Sequence, residues 1–202
     1  ENAVKEYVVQ NVLANEGFPV AGTYLLCTDK SVLGGAFFLM DFLPGKSLMS
    51  APIETVPEVL GRTHVSAHSI NPKPLVDALE EQGLWDTANE INYRPLQLQR
   101  LADQLPWAGG VAEWLMENQP PEPGSRAICH GDFHPHNILM DDGRVTGVID
   151  WPDFCIGDAA LDVATTHWIL SLLYKRQAVK LDPGLASIDW DLFAQRYLEA
   201  YR

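Results

Sequence analysis

The 202-residue chain is long enough for one well-buried core and a small second lobe. Its 47% hydrophobic and 20% charged residues are the composition of a folded globular protein and exclude a disordered chain. The 14 basic and 27 acidic side chains give a formal charge of −13, which excludes nucleic acid and anionic membranes as partners and favours a cationic small molecule.

Val4, Val8, Val9, Val12 and Leu13 recur at helical spacing, and Gly17 with Pro19 ends the run, so the chain should open on an amphipathic helix. Residues 20–27 are apolar and β-prone, Thr28-Asp29-Lys30-Ser31 predicts a turn, and residues 35–42 form a second β-prone run, together a hairpin. Pro44-Gly45 breaks it, and the pattern turns helical. Val56, Val59, Leu60 and Thr63 mark one helix, Leu96, Leu98, Leu101 and Leu105 another, and residues 111–116 a third. Residues 71–93 carry no clear period and read as irregular, and the Pro-rich stretch 120–124 is a loop. The six tryptophans default to the core.

Cys27, Cys129 and Cys155 lack CxxC spacing and are odd in number, so they read as reduced core residues of a cytoplasmic protein. No apolar run approaches the roughly 18 residues of a membrane span, and the polar start at Glu1 is not a signal peptide. A start other than Met and an end inside the helical run 197–202 read as a segment of a longer product.

The most informative stretch begins at residue 127. A short apolar run, 127–129, enters the polar loop His130-Gly131-Asp132-Phe133-His134-Pro135-His136-Asn137. Residues 138–140, the Asp141-Asp142-Gly143 turn and residues 144–149 then predict a hairpin, because Asp-Gly suits a turn that needs positive φ. That hairpin returns Asp150 to the neighbourhood of Asp132 and Asn137. After Gly157 comes a helix carrying Asp162, with Asp158 as its N-cap. Transfer of a γ-phosphoryl group needs an aligned acceptor hydroxyl, a carboxylate to take its proton and Mg²⁺ on the phosphates. An Asn with an Asp supplies the few hard oxygens Mg²⁺ prefers. The order Asp132-x-x-x-x-Asn137, hairpin, Asp150 parallels a kinase catalytic loop followed by a metal-binding aspartate, with Gly131 where kinases carry Arg and Trp151-Pro152 replacing Phe-Gly.

HGDFHPHNILM followed by VIDWPDFCIGDAALDVA resembles the aminoglycoside phosphotransferase and choline kinase-like family. The resemblance implies an α+β, protein-kinase-like two-lobed fold, with a truncated N-terminal lobe over residues 1–43 and a mainly helical C-terminal lobe over 44–202. It implies Asp132 as catalytic base, Asn137 and Asp150 as metal ligands, and His130 and Asp162 as supports of the loop. Residues 37–45 resemble the hinge, whose backbone at Asp41 and Leu43 would bond adenine. Lys5-Glu6 ahead of Gly17-Phe18-Pro19-Val20 resembles the helix whose glutamate, here Glu6, pairs with a phosphate-binding lysine. The family places that lysine and a nucleotide-covering loop ahead of this helix, and Lys30 and Lys46 lie in the wrong places to substitute. The implied reaction is Mg²⁺-dependent transfer from ATP or GTP to a hydroxyl of a small, cationic acceptor such as an aminoglycoside; the −13 charge adds the expectation that acidic residues in the helices after Asp150 line the acceptor site.

Taken singly, Asp132, Asn137 and Asp150 are also ordinary turn or cap residues; their joint spacing favours chemistry. Two alternatives stay open. His130, His134 and His136 crowd one loop and suit a metal-dependent hydrolase, although His64 and His68 lack the Glu of HExxH, Val65 standing there. The pair otherwise reads as helix surface or satisfied core. A nucleotide-binding pseudokinase is the other.

Overall fold

In the computed structural model the described residues are 2–89, 99, 100, 102–105, 107, 109–118, 124–176 and 185–202. Helix α1 (Asn2–Asn15) buries Val8, Val9 and Leu13. It ends in a Schellman arrangement: Gly17 takes φ 77°, its N–H bonds Ala14 O at 3.1 Å, and Phe18 N–H bonds Leu13 O at 3.0 Å. Strands β1 (Thr23–Cys27) and β2 (Phe37–Met40) pair antiparallel as expected. The link between them is more than a turn. Asp29 accepts from Ser31 N at 2.8 Å and Gly34 takes φ 79°, so the caps at both ends wind one helical turn, α2 (Lys30–Leu33).

Strand β3 (Lys46–Ser47) leads to α3 (Val56–His68), α4 (Lys73–Glu81), α5 (Trp85–Ala88) and α6 (Gly109–Glu117). Helix α4 corrects the reading of 71–93 as irregular. Pro74 sits in the first turn, where its missing N–H has no helical partner to lose, and Leu75 and Leu79 bury one turn apart. Of the helix expected around Leu96 to Leu105, residues 96–98 and 101 lie outside the described residues, while 99, 100 and 102–104 are helical; α6 covers the third.

The remaining strands are β4 (Ala127–Cys129), β5 (Ile138–Asp141), β6 (Arg144–Val148) and β7 (Cys155–Gly157). They form a β3-β5-β6 sheet and a β4-β7 pair. The β5–β6 turn has φ 45° at Asp142 and 74° at Gly143, the positive pair expected of its sequence. Helix α7 (Ala159–Trp168) runs into a π-helical segment (Ile169–Tyr174), and α8 (Trp190–Tyr201) completes the described chain. Helices α3 and α8 pack at Gly61, where an added Cβ would stand 2.7 Å from Tyr197 O and 2.8 Å from Tyr201 N. Only a glycine permits that approach.

The main core gathers α1, α3, α4, the β5–β6 hairpin and α8 around Leu13, Leu60, Phe133, Trp151 and Tyr197. Two sequence expectations need correcting. Trp107, Trp114 and Trp168 are 78%, 60% and 52% exposed, whereas Trp151 and Trp190 are buried and Trp85 packs half-buried against the core. Cys129 and Cys155 are buried, but Cys27 is only half-buried; none is in a disulfide. No described helix is long and apolar enough to cross a membrane.

Candidate active site

The polar loop leaves β4 through Gly131, whose φ of 85° and close approach to Asp153 O (2.5 Å from an added Cβ) only glycine tolerates. His130 is buried beside it. Its Nδ1 accepts from Asp132 N at 3.2 Å and its Nε2–H donates to Ile149 O at 3.0 Å. Burial pushes the His130 pKa down, in keeping with a neutral ring whose tautomer is set by these two partners. Phe133 is fully buried and stacks on His64 at 3.9 Å, and its carbonyl accepts from Thr166 Oγ1 of α7. Asn137, in a 3₁₀ turn, donates from Nδ2 to Asp132 O at 2.9 Å and lies 3.4 Å from Asp132 Oδ2. Its own carbonyl accepts from Ile149 N at 2.9 Å.

That last bond clips the loop to the end of β6, one residue before Asp150. Asp150 is exposed and takes φ 68°, the left-handed region that a side chain other than glycine seldom adopts. Trp151 beside it is fully buried, donating from Nε1 to Val148 O at 3.0 Å. The hairpin thus returns the chain to the loop at Ile149, one residue before Asp150, while Asn137 bonds Asp132 directly. Burial pushes the Glu6 carboxyl up; the Trp151 backbone N–H bonds it and pulls it back, and the nearby Asp150 charge pushes it further up. Glu6 thus lies at the Asp150 side of the site. The adjacent Lys5 is buried, with Nζ on Thr87 O at 2.9 Å and 5.1 Å above the Phe154 ring.

Asp162 lies beneath the loop, on a helix whose N-cap is Asp158 as expected. Its Oδ2 accepts from His130 N at 2.6 Å and its Oδ1 from Gly131 N at 3.0 Å. His64 Nε2 and His68 Nε2 reach the same Oδ2 at 3.1 and 3.2 Å. On their far sides His64 Nδ1 meets Tyr197 OH and His68 Nδ1 meets Tyr201 OH, both at 2.8 Å. Burial alone would raise the Asp162 carboxyl, but the hydrogen bonds from His64 and His68 hold it well below the ordinary carboxylate range. Burial lowers His64 to about 4. A neutral imidazole beside an anionic carboxylate leaves one consistent pattern: Tyr O–H donates to Nδ1 and Nε2–H donates to Asp162. The two histidines that hold Asp162, and the two tyrosines behind them, were not assigned from sequence. The His64/His68 spacing was the available signal, but nothing local pointed it at residue 162.

The hinge candidates follow β2, with Asp41 against the start of β1 and Leu43 against the β5–β6 hairpin. Asp41 N–H donates to Gly22 O at 2.9 Å, and its carboxylate accepts from Gly22 N and the Tyr24 hydroxyl. Leu43 packs over Gly147, where an added Cβ would stand 2.2 Å from Leu43 Cδ1. The three loop imidazoles do not converge. His130 faces Ile149 O, His134 Nε2 lies 3.3 Å from Asp132 Oδ2, and His136 Nδ1 lies 3.4 Å from Ser47 Oγ. Among the described residues the ligand atoms that do gather are those of His64, His68 and Asp162, and both Nε2 atoms there already engage the carboxylate. The hydrolase arrangement is not formed.

The sequence profile described as "Phosphotransferase enzyme family" matches residues 1–201. The human acyl-CoA dehydrogenase family member 11 is 30% identical over 193 residues, covering 89% of this chain but only 24% of that protein. An aminoglycoside 3′-phosphotransferase of Streptomyces fradiae is 34% identical over 97 residues, 47% of this chain and 32% of its own length. Among solved structures, aminoglycoside-3′-phosphotransferase of type VIII superposes with a TM-score of 0.60 at 21% identity, over 100% of this chain and 80% of that one. APH(2″)-IIa, solved as a ternary complex with streptomycin and ATP, superposes at 0.62 with 17% identity, over 98% of this chain and 66% of that one. At these identities the structural likeness establishes the fold, that of kinase-like phosphotransferases. The chain spans about a quarter of the length of its full-length human relative.

Proposed function

The chain belongs to the phosphotransferase enzyme family, and from that premise we propose that it transfers the γ-phosphoryl group of ATP, or GTP, to a hydroxyl of a small molecule. One observation carries this reading: Asn137 bonds Asp132 through its side chain and Ile149 through its carbonyl, so the loop and the residue before Asp150 form one knot. In the reaction Asp132 takes the proton of the acceptor hydroxyl as that oxygen bonds the γ-phosphorus and the bond from phosphorus to the β–γ bridging oxygen breaks, releasing the nucleoside diphosphate. Asn137 and Asp150 would hold Mg²⁺. Their amide and carboxylate oxygens are the hard donors it prefers, and the Asn137 Nδ2 bond to Asp132 leaves Oδ1 to face the ion. Bound Mg²⁺ would supply charge neutralisation to the phosphates.

His130 and Asp162 keep the loop in shape. Residues 1–43 would serve the nucleotide, with the Asp41 carbonyl and the Leu43 N–H meeting adenine and Glu6 facing a phosphate-binding lysine. Lys5 is not that lysine, since its Nζ is held by Thr87 O. Residues 44–202 would carry catalysis and the acceptor. The relative solved with ATP and streptomycin supports a nucleotide donor and a cationic acceptor, as does the formal charge of −13. The relative named an acyl-CoA dehydrogenase makes a hydroxylated acyl-CoA a second acceptor class worth testing.

The test is Mg²⁺-dependent ATP consumption by the chain with kanamycin, choline, glucose, homoserine and a hydroxyacyl-CoA. The expected result is consumption with at least one of them and a product heavier by one phosphate. Nucleotide binding without transfer to any of them would make the chain a nucleotide-binding pseudokinase. Transfer only to neutral or anionic acceptors would remove the idea that acidic residues after Asp150 line the acceptor site.

A further inference from the structure

Helix α7 does not end as an α-helix. It widens into the π-helical segment Ile169–Tyr174, a rare geometry that often marks functional positions. The last residue of that segment, Tyr174, places its ring beside the loop, with centroids 5.8 Å from His136 and 6.2 Å from His134, and it packs edge-on to Trp190 at 5.4 Å. Its hydroxyl is the one buried side-chain polar atom without a hydrogen-bond partner among the described residues. Proteins rarely keep such a group, since a buried hydroxyl left unbonded weakens the fold. The His134 ring beside Tyr174 reaches to within 3.3 Å of Asp132 Oδ2 through Nε2, so Tyr174 stands one side chain away from that carboxylate; burial, and after it the charge of Asp132, pushes the Tyr174 hydroxyl pKa up.

Asp132 has a complementary shortfall. Its side chain is 42% exposed, and the protein groups near its Oδ2 are both long, Asn137 Nδ2 at 3.4 Å and His134 Nε2 at 3.3 Å. Catalytic hydrogen bonds are often long before substrates bind and tighten only in the loaded site.

We propose that Tyr174 is the positioning residue for Asp132: once acceptor and nucleotide fill the site, its hydroxyl donates to one carboxylate oxygen and leaves the other facing the acceptor hydroxyl. This rests on the phosphotransferase reading above. The unpaired hydroxyl is then a donor held in reserve. It explains why a tyrosine, and not a phenylalanine of equal packing, stands against Trp190.

Tyr174→Phe removes that hydroxyl and keeps the ring. In the full chain, with Mg·ATP and each of kanamycin, choline, glucose, homoserine and the hydroxyacyl-CoA that the wild type phosphorylates, kcat should fall about 10-fold or more with KM for ATP unchanged. The Tm should hold or rise, because nothing bonded is lost. An unchanged kcat overturns the proposal. So does a lowered Tm with a matching loss of active protein, which would mean the hydroxyl has a structural partner. Asp132→Ala measured in parallel separates the two levels. If it loses transfer and Tyr174→Phe does not, only the role of Tyr174 fails. If Asp132→Ala keeps transfer, or no panel compound is phosphorylated, the phosphotransferase assignment fails and takes this inference with it.

Discussion

Asp132 and Asp162 serve the same loop from opposite surroundings. Asp162 has a side chain 1% exposed and meets four N–H groups within 3.2 Å, two from the loop backbone and two from imidazoles. Asp132 is 42% exposed and has only long side-chain neighbours. A carboxylate has about four lone-pair sites, so Asp162 is saturated and Asp132 is not. Saturation suits a brace, which should hold one geometry, and vacancy suits a base, which must accept a proton and a substrate. The backbone repeats the contrast. The Asp162 side rests on regular helices, whereas Asp150 sits at φ 68° in a conformation that a regular element would not impose.

If that contrast is physical, the two ends of the loop fail differently when altered. Asp162→Ala should give the largest effect, leaving four donors unanswered in a dry interior, two on the backbone and two on imidazoles. Loss of one partner from such a network costs about 3–5 kcal/mol. Urea denaturation would measure it, with Asp162→Asn as the readable variant if alanine yields no folded protein. A loss under about 1 kcal/mol would mean the network adds little.

Next in size is a pH effect confined to the braced end. His64 titrates near 6.5 when unfolded and is lowered to about 4 by burial in the fold. The unfolded chain therefore binds the proton first, so the stability from neutral His64 is present above about pH 6.5 and is lost as pH falls toward about 4. One proton over that window amounts to on the order of 3 kcal/mol. His130 and His136 are also lowered by burial and add to the same slope. His64→Gln should reduce the slope by about one proton's share without flattening it, as urea midpoints from pH 7 to 4 would show.

How much of this was written in the sequence follows the same divide. The loop, the Asp-Gly turn and the return of Asp150 were legible because each depends on residues near one another in the chain: a positive-φ pair at Asp142 and Gly143, a glycine at 131, and a hairpin of fixed length. The likeness of that stretch to a known family extended the reading to the fold and to Asp162 as a brace. What holds Asp162 was not legible. His64 and His68 lie far from it in sequence, and they meet it only because Gly61 lets α3 and α8 pack closely with Tyr197 and Tyr201 behind the imidazoles. Helix α4 was missed because its buried face shows only Leu75 and Leu79, too few apolar positions to make a clear period over so short a helix. Burial of tryptophan is likewise a tertiary outcome, and the three exposed ones carry no local mark of it.

At the open end the expected losses are kinetic. On the proposed roles, Asp132→Ala removes the proton acceptor and should slow turnover by at least ~10²-fold, equivalent to about 2.7 kcal/mol, with nucleotide binding kept. Asp150→Ala, which on the same proposal removes a metal ligand, should instead weaken Mg·nucleotide binding about 10-fold, and it should not lower Tm, since it also relieves a left-handed aspartate. Titration with a fluorescent nucleotide alongside the transfer assay distinguishes them. The same defect in both variants would erase the separation between base and metal ligand.

The smallest predicted effects lie farthest from the loop and grade the brace itself. Tyr197 is fully buried, and its hydroxyl is the partner of His64 Nδ1; Tyr201 is only half-buried and does the same for His68. Phenylalanine at either position keeps the ring and strands one imidazole nitrogen. At 197 no water can take over, so the loss should reach about 1–2 kcal/mol, the penalty of an unanswered buried acceptor. At 201 water can reach part of the gap, and the loss should be about half that or less. Equal losses would mean that hydration does not discriminate the two arms. A larger loss at 201 would make His68 the principal tether of Asp162, with His64 mainly packing against Phe133.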